Sequence, residues 1–122
     1  AEAQLEAASI EGYAIGVEAA TLAPGEGSDR YFNLVRAHPD YPSPTVTQTG
    51  KAAGAASVIH PTEMRKFTLD ELRRVCGFPD DFVLTGTYAQ QWERLGRAVS
   101  PPLMAAVAAM IRDRILLEGG NA

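Results

Sequence analysis

The chain has 122 residues, is 46% apolar and carries a formal net charge of −4, which allows one domain with a core of modest size and, taken as a whole, argues against a partner as acidic as nucleic acid. Its single cysteine, Cys76, excludes an internal disulfide, a redox pair and a zinc ribbon. The first nine residues hold no basic head and no unbroken apolar run, so neither a signal peptide nor a membrane span is predicted and a cytoplasmic location is expected.

The charge is unevenly spread. Six acids and no bases lie in residues 1–29, five bases and two acids in 30–67, and six bases and seven acids in 68–122. The basic middle is where a polyanion would be met; on charge alone, a solvated loop with scattered Lys and Arg accounts for it equally well.

In chain order, residues 1–22 are rich in Ala, Glu and Leu, which predicts one or two short helices broken by Pro24, Gly25 and Gly27. The apolar run 31–35 fits a strand or a helix, and Pro39, Pro42 and Pro44 prevent any helix from continuing it. Residues 45–48 and 57–60 are β-branched and extended, and the small-residue stretch between them contains Gly50, Lys51 and Gly54, so a hairpin is predicted. Its tip is either a close approach to a phosphate or base edge, or a flexible turn with no ligand.

Thr68 followed by Glu71 has the spacing of a capping box and starts a helix running to about Cys76, with Gly77 past its end and Pro79 blocking continuation. Thr87 and Gln90 repeat the device, predicting a second helix from Tyr88 that buries Trp92 and Leu95 and ends at Gly96. Ser100 caps a third, longest helix whose first positions, Pro101 and Pro102, need no N–H. Leu103, Val107, Met110 and Ile111 recur along it at helical spacing, a stripe that reads first as core packing.

No catalytic centre is evident in these residues. Cys76 ends an amphipathic helix with no His near it in sequence, which suits a small buried side chain better than a nucleophile. His38 and His60 each precede a proline and make no metal-ligand spacing. Asp80 and Asp81 follow Pro79, where carboxylates serve as turn and cap residues more often than as an acid–base pair.

Two long blocks, residues 65–82 (Arg65-Lys66-Phe67-Thr68 through Gly77-Phe78-Pro79-Asp80) and residues 91–102 (Gln91-Trp92 through Leu95-Gly96-Arg97-Ala98-Val99-Ser100-Pro101-Pro102), resemble the last two conserved blocks of the DNA (cytosine-5) methyltransferases. Residues 42–61 look like the end of that family's target recognition domain; residues 1–30 match weakly. The resemblance implies an enzyme that flips a cytosine out of duplex DNA and transfers the methyl of S-adenosylmethionine to its C5, using a cysteine thiolate. The family's glycine-rich cofactor loop, Pro-Cys nucleophile and Glu-Asn-Val acid have no counterpart here, and Cys76 follows Val75 rather than a proline. The expected role is therefore that of a C-terminal fragment or small subunit, inactive alone and partnered by double-stranded DNA and by a catalytic N-terminal part.

Carried over by position, Phe78 would form an aromatic wall of the cofactor pocket, with Arg97 and Ala98 closing it from below. The family usually has Asn where Arg97 stands, which leaves that contact to backbone groups. Thr45, Thr47, Gln48, Thr49 and Gly50 fall on the loop that reads bases, Lys51 is the expected phosphate contact, and Arg65 and Lys66 add backbone contacts. The expected fold is α+β: an irregular β-rich recognition segment with a hairpin and a helical N-terminus over 1–67, then three helices over 68–122 that complete a Rossmann-like methyltransferase domain. With that domain absent, the stripe of the last helix becomes a docking surface open to self-association. The alternatives are a stand-alone, non-enzymatic DNA-binding module and a protein-interaction subunit.

Overall fold

The computed structural model describes residues 7–118, so the share of the expected N-terminal helices on residues 1–6 lies outside the described residues. The chain is α+β. Its elements are α1 (Ala14–Ala19), β1 (Val35–Arg36), β2 (Val58–Ile59), α2 (Leu69–Val75), α3 (Tyr88–Arg97) and α4 (Pro101–Ile111), the last continued by a wider π turn over Arg112–Leu117. No helix among the described residues is long and apolar enough to cross a membrane.

The two strands pair in parallel, Val35 beside Val58 and Arg36 beside Ile59. Neighbouring residues of a strand face opposite sides, and that alternation divides the interior into two cores. Val58 faces Ala37, Phe67, Leu72, Trp92 and Leu95. Ile59 faces Ile10, Ile15, Ala19 and Leu34. Helix α1 thus covers one face of the ribbon, and α2 with α3 covers the other.

The expected hairpin does not form. Residues Gln48–Lys51 make a 3-10 turn instead, and the strand that follows pairs with β1. The cause is tertiary: the Trp92 Nε1–H donates to the Thr47 carbonyl at 2.9 Å, and the Lys66 ammonium takes the carbonyls of Gly50, Ala52 and Ala55. Carbonyls that a hairpin would turn towards residues 57–60 are drawn beneath α3. Arg36 does the same on the other side of the ribbon, where its guanidinium donates to Ala19 and Leu22 at the end of α1 and to His60 after β2, at 2.8, 2.8 and 3.0 Å.

The helical starts follow the sequence closely. Thr68 and Glu71, then Thr87 and Gln90, form both reciprocal capping pairs. Helix α2 stops at Gly77, whose φ of +81° is left-handed; the Gly77 and Phe78 N–H groups return to the Arg74 and Arg73 carbonyls at 2.9 and 3.0 Å, the paired closure that a C-terminal glycine permits. A β-carbon at Gly77 would also lie 2.8 Å from Ser100 Oγ and 2.9 Å from Pro102 Cδ.

Three expectations for the helices need correcting. Gly96 does not end α3, which continues to Arg97; its missing side chain lets the helix lie against the backbone of Thr47 and Gln48, where a β-carbon would stand 2.6 Å from the Gln48 nitrogen. Ser100 precedes α4 but makes no side-chain cap bond. The α4 stripe is not core: Leu103, Val107, Met110 and Ile111 are 60%, 44%, 57% and 45% exposed.

A charged fork ties the exit of the β-rich part to α2. Arg65 donates twice to the Glu71 carboxylate, at 2.7 and 3.0 Å, and twice to that of Glu63, at 2.6 and 3.3 Å. The Arg65 guanidinium, helped by the Thr68 N–H, holds the Glu71 carboxyl down at about 2. A folded pKa below the ordinary value of 4.5 means that the unfolded chain takes the proton first. The stabilisation is complete above about pH 4.5 and is lost as pH falls towards 2. Urea midpoints at pH 7 and pH 3 are expected to show that loss, and a smaller one in Glu71→Gln. At Gly77, Ala meets both a left-handed backbone, costing about 1–2 kcal/mol, and overpacking of about 1–3 kcal/mol. Gly77→Ala is therefore expected to lose at least about 2 kcal/mol by urea unfolding.

Candidate functional site

The structure dismantles the basic middle as a polyanion surface. Arg36 and Lys66 are buried, 5% and 0% exposed. Arg65 is engaged by Glu63 and Glu71, and Lys51 by Glu93 at 2.6 Å. Arg30 lies 5.5 Å over the Tyr31 ring. Lys66 is thereby corrected from a candidate phosphate contact to an internal one, because a side chain with no exposure and three carbonyl partners has no donor left over. Gly50 is buried as well, with its backbone against Trp92.

What stays on the surface of that segment is compact. Thr45, Gln48, Thr49 and Lys51 are exposed, and Thr47 is half-buried with its hydroxyl 3.2 Å from that of Thr49. These hydroxyls and the Gln48 amide both donate and accept, the chemistry that suits base edges and phosphate oxygens alike. Lys51 is bound to Glu93, which also receives Arg97 at 3.3 Å. Glu93 therefore links the Lys51 end of the segment to the C-terminal end of α3. Its four-residue spacing from Arg97 is the one signal in the sequence that points to it.

The second group of candidate residues gathers where α2 and α3 end. Phe78 is half-buried and stacks on Phe82 with ring centroids 4.7 Å apart. Gly77 abuts Ser100 and Pro102, so the two Gly/Pro corners that are far apart in sequence are in contact. Beside them lies a cleft of about 550 Å³, whose walls include Pro44, Thr45, Val46, Cys76, Ala98 and Leu103. The cleft brings Ala98 and Thr45 together, joining the segment that starts at Thr45 to the corner after α3. Phe78 and Arg97 are outside its lining. Sequence reasoning missed its apolar wall, since nothing local in Pro44 or Val46 announces a shared surface with Leu103.

The chain's thiol is poorly placed for nucleophilic work: Cys76 is half-buried, and burial pushes its pKa up, against the thiolate. Asp80 is engaged by Arg74 at 2.8 Å, as a turn residue would be. Ala98 offers a small apolar contact inside the cleft and Phe78 an aromatic face outside it, so the two do not wall one pocket here. Ser43, Thr45 and Ser100 bring hydroxyls to the cleft, and its lining holds no charged side chain among the described residues. The residues present therefore fit part of a nucleoside-type cofactor's surroundings and not a complete pocket.

The family described as C-5 cytosine-specific DNA methylase matches residues 6–113. A Methanocaldococcus jannaschii protein named as a type II methyltransferase, M.MJ0563P, is 36% identical over 84 residues, covering 69% of this chain and 25% of its own length. The type II methyltransferase M.AquIB of Picosynechococcus is 37% identical over 92 residues, 66% of this chain and 63% of its own. DNA (cytosine-5)-methyltransferase 1 of Gallus gallus is 36% identical over 70 residues, 57% of this chain and 5% of its own. The chain thus spans about a quarter of the first of these relatives and less than two thirds of the second. With α2, α3 and the segment of residues 45–51 inside the matched span, the chain belongs to the C-5 cytosine-specific DNA methylase family.

Proposed function

We propose that this chain is the C-terminal portion of a DNA (cytosine-5) methyltransferase, contributing target recognition through residues up to 67 and, through residues 68–122, the last part of a Rossmann-like methyltransferase domain. In this reading S-adenosylmethionine supplies the methyl group, and a catalytic N-terminal part transfers it to C5 of a cytosine flipped from duplex DNA. The residues of this chain bind and orient: Thr45, Thr47, Gln48, Thr49 and Lys51 meet the DNA, while Phe78, Arg97 and Ala98 each contribute a contact to the cofactor.

The observation that carries this reading is α4. Leu103, Met104, Val107, Met110 and Ile111, with Ile115, Leu116 and Leu117 after them, are all between 44% and 67% exposed. A helix that is apolar all round belongs inside a larger body, and an uncovered apolar surface of this extent marks an interface. The chain's only thiol is half-buried, so the nucleophile must come from that larger body. Self-association through the same stripe is the outcome expected when the partner is missing.

Two measurements test the proposal. Mixed with an N-terminal part bearing Pro-Cys and Glu-Asn-Val blocks, the chain is expected to restore transfer of labelled methyl from S-adenosylmethionine to duplex DNA, and to give none alone. Activity of the chain by itself overturns the assignment. Val107→Glu or Ile111→Glu places a charge in the docking face and is expected to lower complementation by about a hundredfold, since burying an unpaired charge costs several kcal/mol. The far-UV spectrum of the isolated chain is expected to stay unchanged, because both side chains are exposed there.

A further inference from the structure

The DNA-facing segment is not held in shape by its own sequence. From Thr47 to Ala56 its own backbone gives one 3-10 turn over Gln48–Lys51 and, besides the bonds within that turn, the Gly50 N–H to Thr47 carbonyl and the Ala55 N–H to Ala52 carbonyl, at 3.2 and 3.0 Å, and no strand lies alongside it among the described residues. The segment is closed from inside by Lys66. The Lys66 Nζ donates to the carbonyls of Gly50, Ala52 and Ala55 at 2.5, 2.6 and 2.8 Å. An ammonium has three hydrogens, and all three are used. Beneath it the Trp92 ring centroid lies 5.4 Å away, presenting its face to the charge, and the indole N–H holds the Thr47 carbonyl.

We propose that Lys66 is the positioning residue of the DNA-reading segment: through the carbonyls of Gly50, Ala52 and Ala55 it sets where Thr45, Gln48, Thr49 and Lys51 stand, and so governs target binding without touching DNA. The inference rests on the reading of residues 45–51 as the DNA-facing segment. Its physical basis is the demand of carbonyls turned towards the lysine, of which the Gly50 bond is buried and those of Ala52 and Ala55 are part-buried. An ammonium with no carboxylate beside it among the described residues is held in the interior because it satisfies three acceptors at once. Removing it takes the donor from all three, and the buried Gly50 carbonyl regains a partner only if the segment opens to water. Burial pushes the Lys66 pKa down to about 8, a direction that the three carbonyls oppose because they bond the charged form.

Lys66→Met keeps the length and removes the donors. In the assembled enzyme it is expected to raise KM for duplex DNA by about tenfold with kcat little changed, the signature of lost binding rather than lost chemistry. Hydrogen exchange on the same samples is expected to quicken at residues 48–56 and to stay slow in α2 and α3. If Lys66→Met does not fold, Gly50→Ala decides: its β-carbon would stand 2.7 Å from Ser57 Cβ and 3.0 Å from Trp92 Nε1, which displaces the same turn while leaving the lysine in place, and the same KM rise is expected. A segment that stays protected in Lys66→Met, or a raised KM without faster exchange at 48–56, overturns the positioning role. A loosened segment with KM unchanged overturns the assignment of residues 45–51 to DNA, and the proposal with it.

Discussion

The structure depends on capturing backbone carbonyls with buried cations. Residues 7–67 contain one six-residue helix, one 3-10 turn and two strands of two residues each, so most of their peptide groups have no ladder to join. Buried carbonyls still need donors. Arg36 supplies them on one face of the ribbon, drawing together carbonyls from stretches far apart in sequence, and Lys66 on the other, gathering three carbonyls of one loop. Both side chains are donors only, so they can serve several acceptors without bringing an unmet acceptor of their own. An apolar substitute would fill the volume and leave the carbonyls stranded. This part of the chain is therefore built around two cations to a degree that its small cores alone would not support.

That arrangement changes what the charge pattern means. Five bases in residues 30–67 suggest a surface for a polyanion, yet two of them are consumed internally and two more are paired with Glu63, Glu71 and Glu93. Exposed ion pairs are weak and exchange partners readily, so Lys51 can leave Glu93 for a phosphate at little cost. Glu93 would then be left to Arg97 alone. Under the proposed assignment of Lys51 to DNA, a phosphate there and the charge state of the corner at Arg97 would be coupled through one carboxylate.

The parts of the fold that were legible in the sequence are those decided locally. Thr68 with Glu71, Thr87 with Gln90, the two prolines at the start of α4 and the left-handed Gly77 each depend on residues within a turn of one another, and each appears as read. Burial of Trp92 and Leu95 followed from a single helical face. The failures share the opposite cause. The hairpin was overridden by donors 11 to 45 residues away in sequence. Gly96 looked like a helix stop because its reason for being glycine is a neighbour, Gln48, that no local pattern reveals. Lys66 was legible as a cation and illegible as a buried one, since burial of a lysine is decided by the acceptors that surround it. At the candidate site the exposed hydroxyls of Thr45 and Thr49 were readable, and the cleft that joins them to Ala98 was not.

The same distinction explains the two Gly/Pro corners. As sequence they look like separate helix ends, one at Gly77 and one at Ala98 to Pro102. In the structure they are one contact, with the bare Cα of Gly77 against Ser100 and the Pro102 ring. Pro102 cannot approach a residue that carries a β-carbon there, and Pro101 and Pro102 fix the backbone at the start of α4. The contact therefore sets the direction in which α4 leaves the core. That direction carries its apolar residues out into solvent rather than back onto Trp92 and Leu72. A helix so apolar would collapse onto the nearest hydrophobic surface if its first turn were free to swing. In the reading proposed above, that exposed face is what a partner would cover, and the rigid corner is what would present it.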